Sequence, residues 1–205
     1  MQNNLRRILE KYQLRTDIPS PLIIPDTTRY TLAALFGELD YKVGCEVGVG
    51  SGVYSEAICK AVPGVKLYAV DAYIPYPGYP DFLVPEPLEK DKQDAIEKLG
   101  RYDVEFIYQM SFIASRAFEP NSLDFVYIDA NHTMPWIMED IREWSKKVKP
   151  GGIVSGHDYA DEHDHVISAV DSYALEHGIK PHFVVGVTLS GDYPECIPSW
   201  FWVQP

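Results

Sequence analysis

Apolar and polar positions along this chain alternate between two periods. Short runs of nearly continuous apolar residues at 43–49, 65–72, 104–110, 123–130 and 152–156 have the length and composition of buried strands. Between them, residues 51–61, 88–99, 112–118 and 135–148 read as helices, the last closed by "KPGG". Strands and helices in alternation predict a mostly parallel sheet covered by helices on both faces. The final third adds a helix over 166–177 and two apolar runs, "HFVVGVT" and "SWFWVQ", joined by the turn-rich "LSGDYPECIP". Such a pair fits antiparallel strands at one end of the sheet. Ahead of the alternating region, "MQNNLRRILEKYQL" predicts an amphipathic helix and "TDIPSPLIIPD" a proline-broken loop. "TTRYTLAALFGEL" predicts a second helix, with Asp26 and Thr27 as candidate caps. The segment "YIPYPGYPDFLVPEP", rich in proline and aromatics, is expected to form an ordered loop after the second strand.

Composition narrows the picture. With 205 residues, 46% of them hydrophobic, the chain can bury one sizeable core. It is expected to form a single α/β domain over 1–205, with a helical extension at 1–40, a core at 43–205 and an inserted loop at 73–87. A formal charge of -12 repels polyanions, so nucleic acid is not an expected partner. No run approaches the roughly 18 apolar residues of a membrane span, so no membrane association is expected. Cys45, Cys59 and Cys196 lack metal-type spacing and read as reduced thiols of a cytoplasmic protein. Oligomeric state is left open, a homodimer included.

The stretch "CEVGVGSGVYSEAI" carries Gly48, Gly50 and Gly52 between a strand and a helix. A dinucleotide loop of the form G-x-G-x-x-G needs a third glycine, and the two frames offer Val53 and Ser55 instead. Glu46 stands two residues before the first glycine. Its carboxylate would repel a phosphate at the following helix N-terminus and attract a positive centre.

This stretch resembles the first motif of class I S-adenosylmethionine (SAM)-dependent methyltransferases. The resemblance implies a Rossmann-like fold with a mostly parallel seven-stranded sheet and an antiparallel C-terminal strand. It implies SAM as cofactor, with Gly48, Gly50 and Gly52 beneath its methionine part and Glu46 at its amino end. Asp71 of "KLYAVDAY", 19 residues after Gly52, matches the acidic residue that binds the ribose hydroxyls. Ser111 matches the position near the adenine ring.

A second region, "YIDANHTMPWIMEDIREWSKKVKPGGIVSGHDY", places Asp129 at the end of the fourth apolar run and His157 and Asp158 at the end of the fifth. At neighbouring carboxyl ends of a parallel sheet, such groups suggest a divalent metal beside a base. This block is similar to the subgroup containing catechol O-methyltransferase and the macrolide sugar O-methyltransferases, a family 24 type. By that resemblance Asp129, His157 and Asp158 hold a metal, and His132 is the general base. Because His157 stands where the catechol pattern has a carboxylate, manganese, iron or zinc are as open as magnesium, and so is a metal-free loop. The expected activity is SAM-dependent O-methylation of a small molecule: a sugar, a glycosylated metabolite or a polyhydroxylated aromatic.

Two alternatives stay open: a SAM-binding module without catalysis, and a metallohydrolase built on His157, Asp158, His163 and His165. The two last histidines are otherwise expected in a solvated loop and helix cap. Tyr73, Tyr76, Tyr79, Phe82 and Trp136 are candidates for the acceptor wall. Trp144, Trp200, Phe201 and Trp202 are expected in the core, and Glu139 and Asp140 on a solvated helix face.

Overall fold

A computed structural model of the chain describes residues 2–76, 85–187 and 197–205. Tyr79, Phe82, Cys196, most of the proline-rich insertion and most of the link before the last strand lie outside the described residues. Among those described, eight strands form one sheet: β1 (Leu22–Ile24), β2 (Val43–Val47), β3 (Lys66–Val70), β4 (Val104–Ile107), β5 (Leu123–Ile128), β6 (Val148–Gly156), β7 (His182–Val185) and β8 (Ser199–Val203). The helices are α1 (Gln2–Lys11), α2 (Arg29–Glu38), α3 (Val53–Ala61), α4 (Pro85–Leu99), α5 (Ser111–Ala114), α6 (Trp136–Ser145) and α7 (Asp164–Glu176).

The strand order is β1-β7-β8-β6-β5-β2-β3-β4, with β8 alone running antiparallel to its neighbours β6 and β7. One strand exceeds the seven expected. Leu22–Ile24, read from its prolines as loop, pairs in parallel with β7 at the sheet's edge. An edge strand needs only one ladder partner, which is why Pro21 and Pro25 can flank it. Two boundaries also move. Helix α2 is capped at Thr28, whose N–H donates to Thr31 Oγ1 (3.1 Å), rather than at Asp26 or Thr27. Helix α6 ends at Ser145, so "KPGG" lies inside β6 instead of terminating the helix.

Alternation along the central strands builds the two halves of the core. Phe125 and Tyr127 of β5, with Phe201 of β8, face Phe36, Tyr54 and Ile58 of α2 and α3. Val126 and Ile128, with Trp200 and Trp202, face Ile141, Trp144 and Val170 of α6 and α7. Burial on both faces explains why β5 is buried at every position and reads as a continuous apolar run. The tryptophans expected in the core are there.

After β2 the chain builds β3 and β4 outward on one side, whereas β5 returns to pair with the other side of β2 and continues to β6. This reversal of strand order opens a crevice at the carboxyl ends of β2 and β5, where an open α/β sheet binds its ligand.

Candidate active site

The glycine loop leaves β2 at that crevice. Gly48 has φ +89, and a Cβ there would collide with the Asp129 carbonyl. The loop therefore lies directly on the chain leaving β5, a closeness only glycine allows. Gly50, at φ +51, has nothing within 4 Å of an added Cβ: it faces open space and leaves room for a ligand.

Asp71, at the end of β3, accepts hydrogen bonds from Val49 N–H (2.9 Å) and Gly50 N–H (3.1 Å) on one oxygen and from Tyr73 N–H (2.9 Å) on the other. Burial pushes its carboxyl up, against the lowering effect of these three amides. The expected ribose ligand is thus also the brace of the glycine loop. A carboxylate has about four lone-pair sites, so hydroxyl donors can still be accepted. Tyr73 completes the brace by donating its hydroxyl to the Gly50 carbonyl (2.8 Å).

Asp71 borders two adjoining cavities that also share Gly48, Tyr73, Leu88 and Ala130. The first is lined by Met110, Ser111, Phe112, Asn131, Trp136 and Asp140, a largely apolar lining with a few polar groups that suits a heteroaromatic ring. Tyr76 and Trp136, candidates for the acceptor wall, belong to this cavity and meet edge to face with ring centroids 5.8 Å apart. Ser111 stands where the adenine contact was expected, but its hydroxyl donates to Asp140 and accepts from Trp144 Nε1 (2.8 Å).

Asp140, expected on a solvated helix face, is instead buried, and burial pushes its carboxyl up to about 7. The stripe Ile137, Asp140, Ile141 and Trp144, at spacings of three and four, places it on the inward side of α6. That periodicity was the signal available in the sequence.

The second cavity is lined by Glu46, Gly50, Tyr54, Asp129, His132 and Arg29. Glu46 is 1% exposed and accepts a hydrogen bond from the Ser55 hydroxyl. Burial pushes its carboxyl up to about 8. Arg29, at the start of α2, was not singled out from the sequence, because a lone arginine in a helix's first turn carries no pattern.

Asp129, His132, His157 and Asp158 converge at the carboxyl ends of β5 and β6. His132 Nε2 lies 2.7 Å from Asp158 Oδ2 and 3.5 Å from Asp129 Oδ1, and His157 Nδ1 lies 3.2 Å from Asp158 Oδ1 and 3.7 Å from Asp129 Oδ1. One ligand atom each from Asp129, His132 and Asp158 fall within 4.8 Å of one another. His132 Nε2 is buried without a hydrogen bond of sound geometry despite its carboxylate neighbours. A nitrogen so placed can serve either a shared cation or a proton transfer, and the mixed nitrogen and oxygen donors of the four residues suit manganese, iron or zinc.

With no metal bound, burial lowers His132, but Asp129 and Asp158 outweigh it and raise its pKa to about 10; Asp158 is held well below the usual carboxylate range despite its burial. The imidazole is then protonated at neutral pH and cannot accept a proton until another cation offsets the two carboxylates. Asp158 itself sits at φ +60, a strained conformation of the kind that collects at functional sites.

The proposed hydrolase set does not assemble as a group. His163 Nε2 is 3.8 Å from Asp158, but His165 Nδ1 turns to the Met134 amide (3.3 Å).

Residues 45–159 match a family described as a methyltransferase domain. No curated protein sequence matches. Among solved structures, the chain is similar to a spermidine synthase from Thermotoga maritima (TM-score 0.61, 15% identity), covering 88% of this chain and 61% of that one. It is also similar to a SAM-dependent O-methyltransferase from Thermotoga maritima (TM-score 0.59, 14% identity, 86% and 64% covered). A third is the N-methyltransferase NodS from Bradyrhizobium japonicum (TM-score 0.57, 13% identity, 86% and 94% covered). The chain thus spans less than two thirds of the length of the first two. At these identities the likeness is one of fold.

Proposed function

The chain belongs to this methyltransferase-domain family, and from that premise we propose that it is a SAM-dependent methyltransferase that methylates a hydroxyl of a small molecule, assisted by a divalent metal. The observation that carries the proposal is the convergence of Asp129, His132, His157 and Asp158 beside the glycine loop. Transfer to a neutral amine does not require prior removal of a proton, whereas a hydroxyl is a poor nucleophile until its proton leaves. A cluster of carboxylates and imidazoles around a cation meets that second need.

Asp129, His157 and Asp158 would hold the metal, which when bound lowers the pKa of a chelated hydroxyl. SAM supplies an electrophilic methyl beside a cationic sulfur. Glu46 would meet the amino end of the cofactor and Asp71 its ribose, and the cavity of Ser111 and Trp136 would take its adenine. His132 would accept the hydroxyl proton through Nε2, and the pull of Asp129 and Asp158 on that proton is what a bound cation would offset. Exclusion of water from the crevice by bound cofactor and acceptor would favour a reaction that joins an anion to a cation. An acidic molecule with this site is suited to a small hydroxylated acceptor: a sugar, a glycosylated metabolite or a polyhydroxylated aromatic.

The test is calorimetric titration with S-adenosylhomocysteine, followed by turnover of a panel of those acceptors with and without a chelator. Micromolar binding and chelator-sensitive methylation of a hydroxyl are expected. Methyl transfer that survives complete removal of metal would defeat the metal-assisted reading.

A further inference from the structure

The first residue of α2 carries a guanidinium into the second cavity. Arg29 lines it together with Glu46, Gly50, Tyr54 and Asp129. Its guanidinium carbon lies 5.4 Å from the centroid of the Tyr54 ring and 5.7 Å from that of Tyr30, so two aromatic faces restrict its swing. The Tyr54 hydroxyl donates to the Arg29 carbonyl (2.8 Å), which ties the start of α2 to the helix following the glycine loop. Arg29 Nη1 stands 3.8 Å from Asp129 Oδ2, beyond hydrogen-bond length. A group with five N–H donors keeps capacity for another acceptor in that position.

The ends of the ligand are ordered by the shared wall of the two cavities. With a ribose at Asp71 and an adenine toward Ser111, the remaining tail runs toward Glu46 and Arg29. One is a buried carboxyl and the other a half-buried guanidinium, and both face the same space.

We propose that Arg29 binds the α-carboxylate of the cofactor's methionine moiety, opposite Glu46 at its amino group, so that the site recognises an amino-acid zwitterion. This rests on the SAM reading given above. The planar fork of arginine matches a carboxylate with two parallel hydrogen bonds, which a lysine cannot reproduce. A carboxylate on the acceptor is the other source of the same chemistry, and the experiment separates the two.

Wild type, R29Q and R29K are titrated calorimetrically with S-adenosylhomocysteine and with its decarboxylated analogue, which keeps the amine and lacks only the carboxylate. R29Q is expected to weaken S-adenosylhomocysteine by about 10- to 100-fold and the analogue by no more than about twofold. R29K keeps the charge and recovers part of the loss, and it carries the comparison alone if R29Q does not fold. Unchanged S-adenosylhomocysteine affinity in R29Q overturns the proposal, and a rise confined to the acceptor KM assigns Arg29 to the acceptor instead. Equal losses for both ligands overturn it too, because they mark a structural role. If wild type binds neither ligand, the cofactor reading falls together with this one.

Discussion

Glu46 shows how a single residue couples burial to ligand chemistry. In the free protein its carboxyl titrates at about 8 because it is buried, so at pH 7 it is mostly protonated. An ammonium group placed beside it favours the ionised form, and binding should expel a proton. Calorimetric heats of S-adenosylhomocysteine binding at pH 7, measured in buffers of different ionisation enthalpy, should therefore reveal proton release approaching one per ligand. E46Q should abolish that release. Asp71 allows a second residue-scale prediction. Its two oxygens hold three backbone amides, and the isosteric D71N replaces one acceptor oxygen with a donor facing amide N–H groups. The expected cost is about 1–3 kcal/mol in stability, read by denaturant unfolding, together with weaker S-adenosylhomocysteine binding. His132 separates proton transfer from metal holding. If it is the base, H132A keeps metal affinity and loses turnover about 100-fold or more. Loss of the metal itself would make His132 a ligand.

At the scale of elements, the glycine loop divides into a packing position and a ligand position. Gly48→Ala places a Cβ against the Asp129 carbonyl at φ +89, and it should destabilise the protein by about 2–4 kcal/mol. Gly50→Ala meets no neighbour and has only its φ of +51 to contend with, at about 1 kcal/mol. It should leave Tm nearly intact and weaken cofactor binding, because its methyl projects into open space. Equal effects of the two substitutions on stability would show that the loop does not divide this way. The alternating strands and helices were legible because strands buried on both faces read as continuous apolar runs and the helices between them as period-3.6 stripes. β1 was not: three residues between prolines carry too little pattern, and its existence depends on β7 offering an unpaired edge 158 residues or more along the chain. Helix α2 was legible as a helix, but its cap was not, because neighbouring Thr27 and Thr28 have the same capping chemistry. The choice depends on Thr27 Oγ1 donating to the Ile24 carbonyl (2.5 Å).

For the molecule as a whole, two buried carboxyls give stability a pH dependence. Glu46 moves from an ordinary 4.5 to about 8, and Asp140 from 3.8 to about 7. Both fold more readily protonated, so the stability they contribute is present below the usual carboxylate range and is lost as pH rises toward 8. Thermal melts of the cofactor-free protein should show this contribution lowering Tm between pH 5 and pH 8, with a flatter profile in a double E46Q, D140N variant. A profile identical to wild type would mean that neither group is protonated in the folded state. By itself the sequence determined the fold class, the glycine loop after the first core strand and the residue types at the crevice. Hydrophobic periodicity and a glycine spacing are local properties, readable along the chain. Only the tertiary structure decided that Asp140 turns inward, that Asp71, expected at the ribose hydroxyls, also braces the glycine loop, and that Arg29 enters the cavity with Glu46. It also decided that His132 is pinned between Asp129 and Asp158. Most of these depend on distances between residues far apart in sequence, and burial and charge proximity, which set their chemistry, exist only after the chain has folded.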